Sequence, residues 1–196
     1  MNNLLLNKRD PAVSLVCSPR DDIKIYISEI ETPLGPMTAI AKNEALLYLN
    51  FSDCPKLNQQ INNLKKGSPD FTGRIKRQHA LKENIIISVL KKELNLYFKN
   101  ELKEFTTPIS FLGTDFQKSV WKELLKIPYG QRKSYSFIAE RLKNPTAFRA
   151  VANANGANNF LILVPCHRVL NKNMELGGYS AGIDRKKYLL KLEEND

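Results

Sequence analysis

Residues 162–169 read Ile162-Leu163-Val164-Pro165-Cys166-His167-Arg168-Val169, and the rest of the chain is organised around them. A run of apolar β-formers enters the interior and predicts a strand. Pro165 removes a backbone donor and fixes φ, so the strand is expected to end there and to leave Cys166 where a substrate can reach it. A cysteine in a purely apolar setting is inert, whereas a base and a cation beside it favour the thiolate, which is the nucleophile. Neighbours on an extended chain point to opposite faces, so contact between Cys166 and His167 needs a turn at that point or a bridging water. The pair alone also fits a core cysteine with a surface histidine beside it, and the choice falls to the flanking sequence.

Downstream, Asn171–Glu175 reads as a polar turn, and Gly177-Gly178-Tyr179-Ser180-Ala181-Gly182 as a glycine-rich loop that lets backbone approach a ligand and offers the aromatic face of Tyr179. Ile183–Leu192 is expected to be a helix with Tyr188, Leu189 and Leu192 inward, ended by Glu193. Upstream, Thr114-Asp115-Phe116-Gln117 fits a capping box, and Phe116, Val120, Trp121 and Leu124 follow at helical spacing, with Trp121 in the core. Two short helices come next. Ser134 or Ser136 can cap the first, Lys143-Asn144-Pro145 is the turn, and the second starts with Asn144 as cap and runs to Gly156. This is a helix-turn-helix signature. The second helix carries small residues and a single charge, Arg149, so it suits close approach to a groove with little sequence preference.

Toward the N-terminus the pattern changes. Ile23, Ile25 and Ile27 alternate with polar residues, Thr32-Pro33-Leu34-Gly35-Pro36 is turn chemistry, and Met37–Ala41 and Leu46–Phe51 read as two more strands of an antiparallel meander. Residues 52–77 are expected to be a loop with a short helix. Gln78–Asn100 has helical period, with Leu81, Ile85, Val89, Leu90, Leu94, Tyr97 and Phe98 on one face, and Phe105–Phe111 reads as a further strand broken by Pro108. The expected fold is therefore α/β in the broad α+β sense. A poorly ordered extension (1–20) precedes an α/β domain with a small antiparallel sheet and a helix (21–108) and a mainly helical domain that carries the cysteine (109–196).

Composition narrows the function. The formal charge of +10 points to an anionic partner, and the window from Arg141 to Met174 holds Arg141, Lys143, Arg149, Arg168 and Lys172 with no acidic residue, which suits a phosphate backbone. Cys17, Cys54 and Cys166 are scattered and odd in number, which fits a reducing cytosol better than a disulfide framework. The only other histidine is His79, so a metal site is not expected. No apolar run approaches the length of a membrane span.

From Thr114 to Glu193 the chain resembles the O6-alkylguanine-DNA alkyltransferases, the methylated-DNA–protein-cysteine methyltransferases. The matching pieces stand in that family's order: Gly113-Thr114-Asp115-Phe116-Gln117, Val120-Trp121, Ile127-Pro128-Tyr129-Gly130, Ser134-Tyr135, Asn144-Pro145, Arg149-Ala150-Val151, Val164-Pro165-Cys166-His167-Arg168-Val169, Gly178-Tyr179-Ser180 and Glu193. Residues 20–108 share only the layout, ribonuclease H-like, and the Thr32–Gly35 turn.

The resemblance implies repair of double-stranded DNA by direct reversal, with base flipping and irreversible transfer of the alkyl group of O6-alkylguanine, and of O4-alkylthymine, to Cys166. His167 would take the thiol proton through a water, Glu193 would fix the imidazole, Asn158 would orient the site, and Tyr135 would protonate the departing guanine. Arg149 would fill the gap left by the flipped base, with Ala150 and Thr114 also at the DNA. Tyr179 would pack on the base, the Ser180 N–H would bond its O6, and the carbonyls of Cys166 and Val169 would accept from its exocyclic amine. No cofactor is implied, since the DNA is the alkyl donor, and the protein would be a cytoplasmic monomer. The rival reading is a non-catalytic lesion sensor of the alkyltransferase-like type, which lacks the cysteine. A Cys-His hydrolase unrelated to DNA would leave the Arg149 helix unexplained. The chain departs from the family pattern at Asn159, Ala181, Lys143 and Phe148, where proline, glycine, glycine and a small residue are usual.

Overall fold

A computed structural model describes residues 25–42, 44–55, 57–59, 62, 76–77 and 84–194. The expectations for the 1–20 extension, Ile23, Leu81 and His79 lie outside them. In the N-terminal half, β1 (Tyr26–Ile30), β2 (Met37–Ala41) and β3 (Leu46–Phe51) form the antiparallel meander, paired Ile30↔Met37 and Met37↔Phe51 at one end. The β1–β2 turn closes as its residues require. The Thr32 hydroxyl donates to the Gly35 carbonyl at 2.6 Å, and Gly35 takes φ +104°, which only glycine adopts readily. The sheet is larger than the sequence suggests, because β4 (Lys76–Arg77) adds in parallel to β1 and gives the order β3-β2-β1-β4.

Helix α1 (Ile85–Phe98) covers this sheet. It starts at Ile85, where the Asn84 side chain accepts from the N–H groups of Ile86 and Ile87 and fixes the first turn, and residues 78–83 of the expected helix lie outside the described residues. The buried face is Ile86, Ile87, Leu90, Glu93, Leu94 and Tyr97, while Ile85 is exposed, so the apolar stripe is rotated from the one expected. The Phe105–Phe111 segment is not a strand. It makes one isolated bridge, Ile109 to Leu46.

The edge of β3 joins the two halves. Leu46 pairs with the segment at Pro108–Ser110, and Leu49 exchanges bonds with the Asn159 carbonyl and the Leu161 N–H at 2.8 and 2.9 Å. The backbone just before the cysteine is therefore anchored on the N-terminal sheet.

In the C-terminal half, α2 (Asp115–Leu124) opens with the full capping box of Thr114 and Gln117. Trp121 is core, with its indole N–H donating to the Ala154 carbonyl at 2.8 Å. Ser134 ends β5 (Lys133–Ser134) and caps α3 (Tyr135–Arg141). Asn144 does not cap the next helix. Its side chain accepts from the Thr146 hydroxyl, Pro145–Ala147 is a single 3-10 turn, and α4 (Phe148–Gly156) follows. Lys143 sits in the turn at φ +57°, a conformation that explains the glycine usual there. Then β6 (Val169–Leu170) pairs in parallel with β5, and α5 (Ile183–Leu192) closes the described chain. On α5 the inward residues are Lys186, Leu189 and Leu190, and Tyr188 is exposed, contrary to expectation.

Candidate active site

The cysteine does not stand at the end of a strand. Phe160 makes one bridge to Leu49, the chain then turns through Leu161–Leu163 with Ile162 at φ +75°, and Cys166–Arg168 is a 3-10 turn. A buried β-branched residue at positive φ is held by its surroundings. Here the holder is Asn158. Its amide donates to the Val164 carbonyl at 2.9 Å and to Cys166 Sγ at 3.1 Å, and its own carbonyl accepts from the Phe160 N–H at 2.9 Å. One side chain thus fixes the turn and aims the sulfur. Cys166 is 1% exposed, and burial pushes its thiol up to about 11 against the opposing pull of Asn158 and the Lys186 ammonium. The expectation that neighbours favour the resting thiolate does not hold, because burial outweighs them, and the adjacent cation is committed elsewhere.

That cation, Arg168, is also not on the surface, where the basic window is expected to meet a phosphate backbone. It is buried, donates from Nε to Glu193 Oε2 at 2.8 Å and from its terminal nitrogens to Glu193 Oε1 at 2.9 Å and the Ile127 carbonyl at 2.6 Å, and lies over the Tyr129 ring. Of the acid-free window, Arg141, Lys143, Arg149 and Lys172 remain exposed.

Glu193, at the C-terminal end of α5, is 3% exposed, and an anion there opposes the helix dipole. Burial works against its charge, but bonds from His167 and Arg168 outweigh it and hold its pKa at about 2. His167 Nε2 lies 2.9 Å from Oε1, and burial lowers the imidazole pKa. A neutral ring facing a carboxylate carries its proton on Nε2, so Nδ1 holds a free lone pair. Nδ1 is buried with no protein hydrogen-bond partner. The site thus contains an oriented base, a buried thiol and a fixed carboxylate.

Tyr135 begins α3 beside this cluster. Burial raises its hydroxyl pKa and the nearby cysteine raises it further, so it keeps its proton at neutral pH. Gly177 makes room for it: a Cβ there would meet the Tyr135 hydroxyl at 3.2 Å. The buried Tyr179 hydroxyl, also raised by burial and by Cys166, has no directed partner. Val169 is buried and its carbonyl accepts from Lys186 Nζ at 2.7 Å. The Cys166 carbonyl accepts from Asn155 at 3.3 Å and from the Val169 N–H, which fills both lone pairs.

Arg149, Ala150, Thr114 and Ser180 stand outside this cluster at exposed positions. Arg149 lies at the start of α4 over the exposed Phe148 ring. Sequence reasoning missed the structural roles of Lys186, Asn155, Tyr97 and Arg168. The available signal was chemical type: lysine and tyrosine on apolar helix faces must find partners when buried.

Known proteins resemble the chain over most of its length. Residues 25–111 match the family profile described as 6-O-methylguanine DNA methyltransferase, ribonuclease-like domain, and residues 115–195 match the DNA binding domain of the same family. The chain is 50% identical over 172 residues to a methylated-DNA–protein-cysteine methyltransferase of Methanosarcina mazei, covering 88% of this chain and 99% of that relative. It is similar to the crystal structure of Mycobacterium tuberculosis O6-methylguanine methyltransferase, with a TM-score of 0.71 at 36% identity over 87% of this chain and 93% of that one. A crystal structure of the Mycobacterium tuberculosis protein in complex with DNA gives a TM-score of 0.70 at 38% identity over 86% and 92%.

Proposed function

The chain belongs to the methylated-DNA–protein-cysteine methyltransferase family, and from that premise we infer that it binds DNA and repairs O6-alkylguanine by moving the alkyl group onto its own cysteine, Cys166. The observation that carries the reading is the buried set in which Asn158 holds Sγ and Glu193 fixes His167 with Nδ1 unprotonated.

A thiol with a pKa of about 11 is ionised to only ~10⁻⁴ at neutral pH, so the reaction needs a base. His167 Nδ1 takes the proton from Sγ through a water. The sulfur lone pair then attacks the alkyl carbon, the carbon–O6 bond breaks, and its electron pair passes to the guanine ring. Tyr135 gives the departing base a proton. The products are guanine in DNA and an S-alkylcysteine. A thioether has no route to hydrolysis here, so each molecule acts once.

The reading assigns the remaining surface to DNA. Residues 21–108 support the site, and residues 109–196 bind DNA and accept the alkyl group. Arg149 fills the stack behind the flipped base, offsetting a few kcal/mol of unstacking, and Ala150 lets α4 approach the groove closely. Thr114 contacts the backbone, Tyr179 packs on the base, and Ser180 N–H bonds O6. The Val169 carbonyl keeps one lone pair for the exocyclic amine, so that role passes to Val169 rather than to Cys166. O4-alkylthymine is a second substrate. The protein works as a monomer, and its scattered cysteines suit the cytoplasm. Among the described residues, no helix is long and apolar enough to cross a membrane.

The test is a titration of duplex containing O6-methylguanine with limiting protein. One guanine restored per protein molecule, with no second turnover, is expected. Continued turnover, or tight lesion binding with no guanine restored, contradicts the reading.

A further inference from the structure

Tyr97 lies on α1, in the other half of the chain, yet its hydroxyl donates to Glu193 Oε1 at 2.7 Å. It is fully buried, and its ring is fixed against Phe98, Phe105 and Tyr129. Oε1 also receives His167 Nε2 and an Arg168 nitrogen, each at 2.9 Å. That makes three donors on an oxygen with two lone-pair sites, so the three compete. A phenylalanine would fill the same apolar space, and the hydroxyl is the only polar group that α1 brings to this carboxylate among the described contacts.

Building on the transfer reaction above, we propose that Tyr97 is a positioning residue of the transfer site: by sharing Oε1 with His167, it limits the negative charge presented to the imidazole and so sets the basicity of the proton acceptor. The N-terminal half is then part of the catalytic relay and not only its scaffold. The other charged or titratable groups around the pair are Arg168 and Lys186, the cations, with Cys166, Tyr129 and Tyr179. None of these has to change for the effect to appear.

The experiment is the bimolecular rate of transfer from O6-methylguanine duplex against pH, with His167 followed in parallel by imidazole ¹⁵N shifts. Tyr97→Phe removes one competitor, strengthens the hold of Oε1 on His167 and makes the ring more basic. The acid limb of the rate, and the ¹⁵N titration, should move to higher pH by about half a unit, a roughly threefold loss below the limb. A 3-fluorotyrosine at position 97, a stronger donor of nearly the same shape, should move both to lower pH, and it decides the matter if the phenylalanine variant does not fold. An unmoved limb, whether or not the overall rate falls, overturns the proposal, because a purely structural hydroxyl changes rate without changing basicity. The two readings fail separately. Wild-type protein that transfers nothing at any pH sinks the functional reading, and the ¹⁵N titration still reports whether Tyr97 tunes His167.

Discussion

Two buried glutamates, one on α1 and one at the end of α5, have opposite uses. Glu93 accepts four bonds, from the N–H and hydroxyl groups of Thr106 and Thr107, and so ties α1 to the segment that leads into the C-terminal half. Its donors are neutral and fixed in charge. Glu193 accepts from a histidine, an arginine and a tyrosine. Burial and full hydrogen bonding are common to both, so neither marks a reactive site. The difference is that the partners of Glu193 can change protonation or charge distribution, and one of them adjoins the cysteine.

The sharpest way to break this comparison is to neutralise each carboxylate. Glu193→Gln leaves the Arg168 charge buried and unpaired, which should cost about 3–5 kcal/mol of stability. It should also slow transfer by about a hundredfold or more in the molecules that remain folded, since the base loses its orientation and its charge partner. Denaturant melts and single-turnover rates check the two parts.

Acid provides a milder probe of the same group. Glu193 has a folded-state pKa of about 2 against an ordinary 4.5, so its contribution is complete above pH 4.5 and is lost as pH falls toward 2, about 3 kcal/mol in all. His167, lowered by burial, adds to the loss once pH falls below its ordinary 6.5. The fold should therefore weaken below about pH 6.5 and steeply below 4.5, and Glu193→Gln should flatten the lower part of a circular-dichroism acid titration.

Glu93→Gln should cost less, about 1–3 kcal/mol, by replacing two acceptor sites with donors. Transfer per folded molecule should not change. A rate loss as large as that of Glu193→Gln would erase the distinction between the two carboxylates. Smallest of all, Lys143→Gly should stabilise by about 1 kcal/mol, because it relieves φ +57° at a turn that touches neither glutamate. A thermal melt measures it, with transfer unaltered.

Much of this was legible in the chain itself, and the gaps have causes. Strands β2 and β3 and the Thr114 capping box follow from local chemistry, and local chemistry is what a sequence displays. The Ile162–Val164 run reads as strand because apolar β-formers carry that signal, whereas the chain turns there against the preference of Ile162, which sits at φ +75°. That turn is imposed by Asn158, whose bonds reach residues up to eight positions away. Strand β4 is two residues long and pairs with a distant partner, so it had no pattern to show. The resemblance brought Cys166, His167 and Glu193 to one site, and the structure adds what surrounds them. The inward turn of Arg168 was hidden because its partner is 25 residues away in sequence. The Tyr97 contact spans 96 residues, and no local period encodes that.

The central claim is that Cys166 accepts an alkyl group from DNA, and it is tested most directly by mass. Intact and peptide masses should be taken after mixing the protein with duplex containing O6-methylguanine. The account predicts one added methylene per molecule, on the peptide containing Cys166, and none in Cys166→Ser. An unchanged mass under conditions where the lesion is bound, or an added group on any other residue, would contradict it.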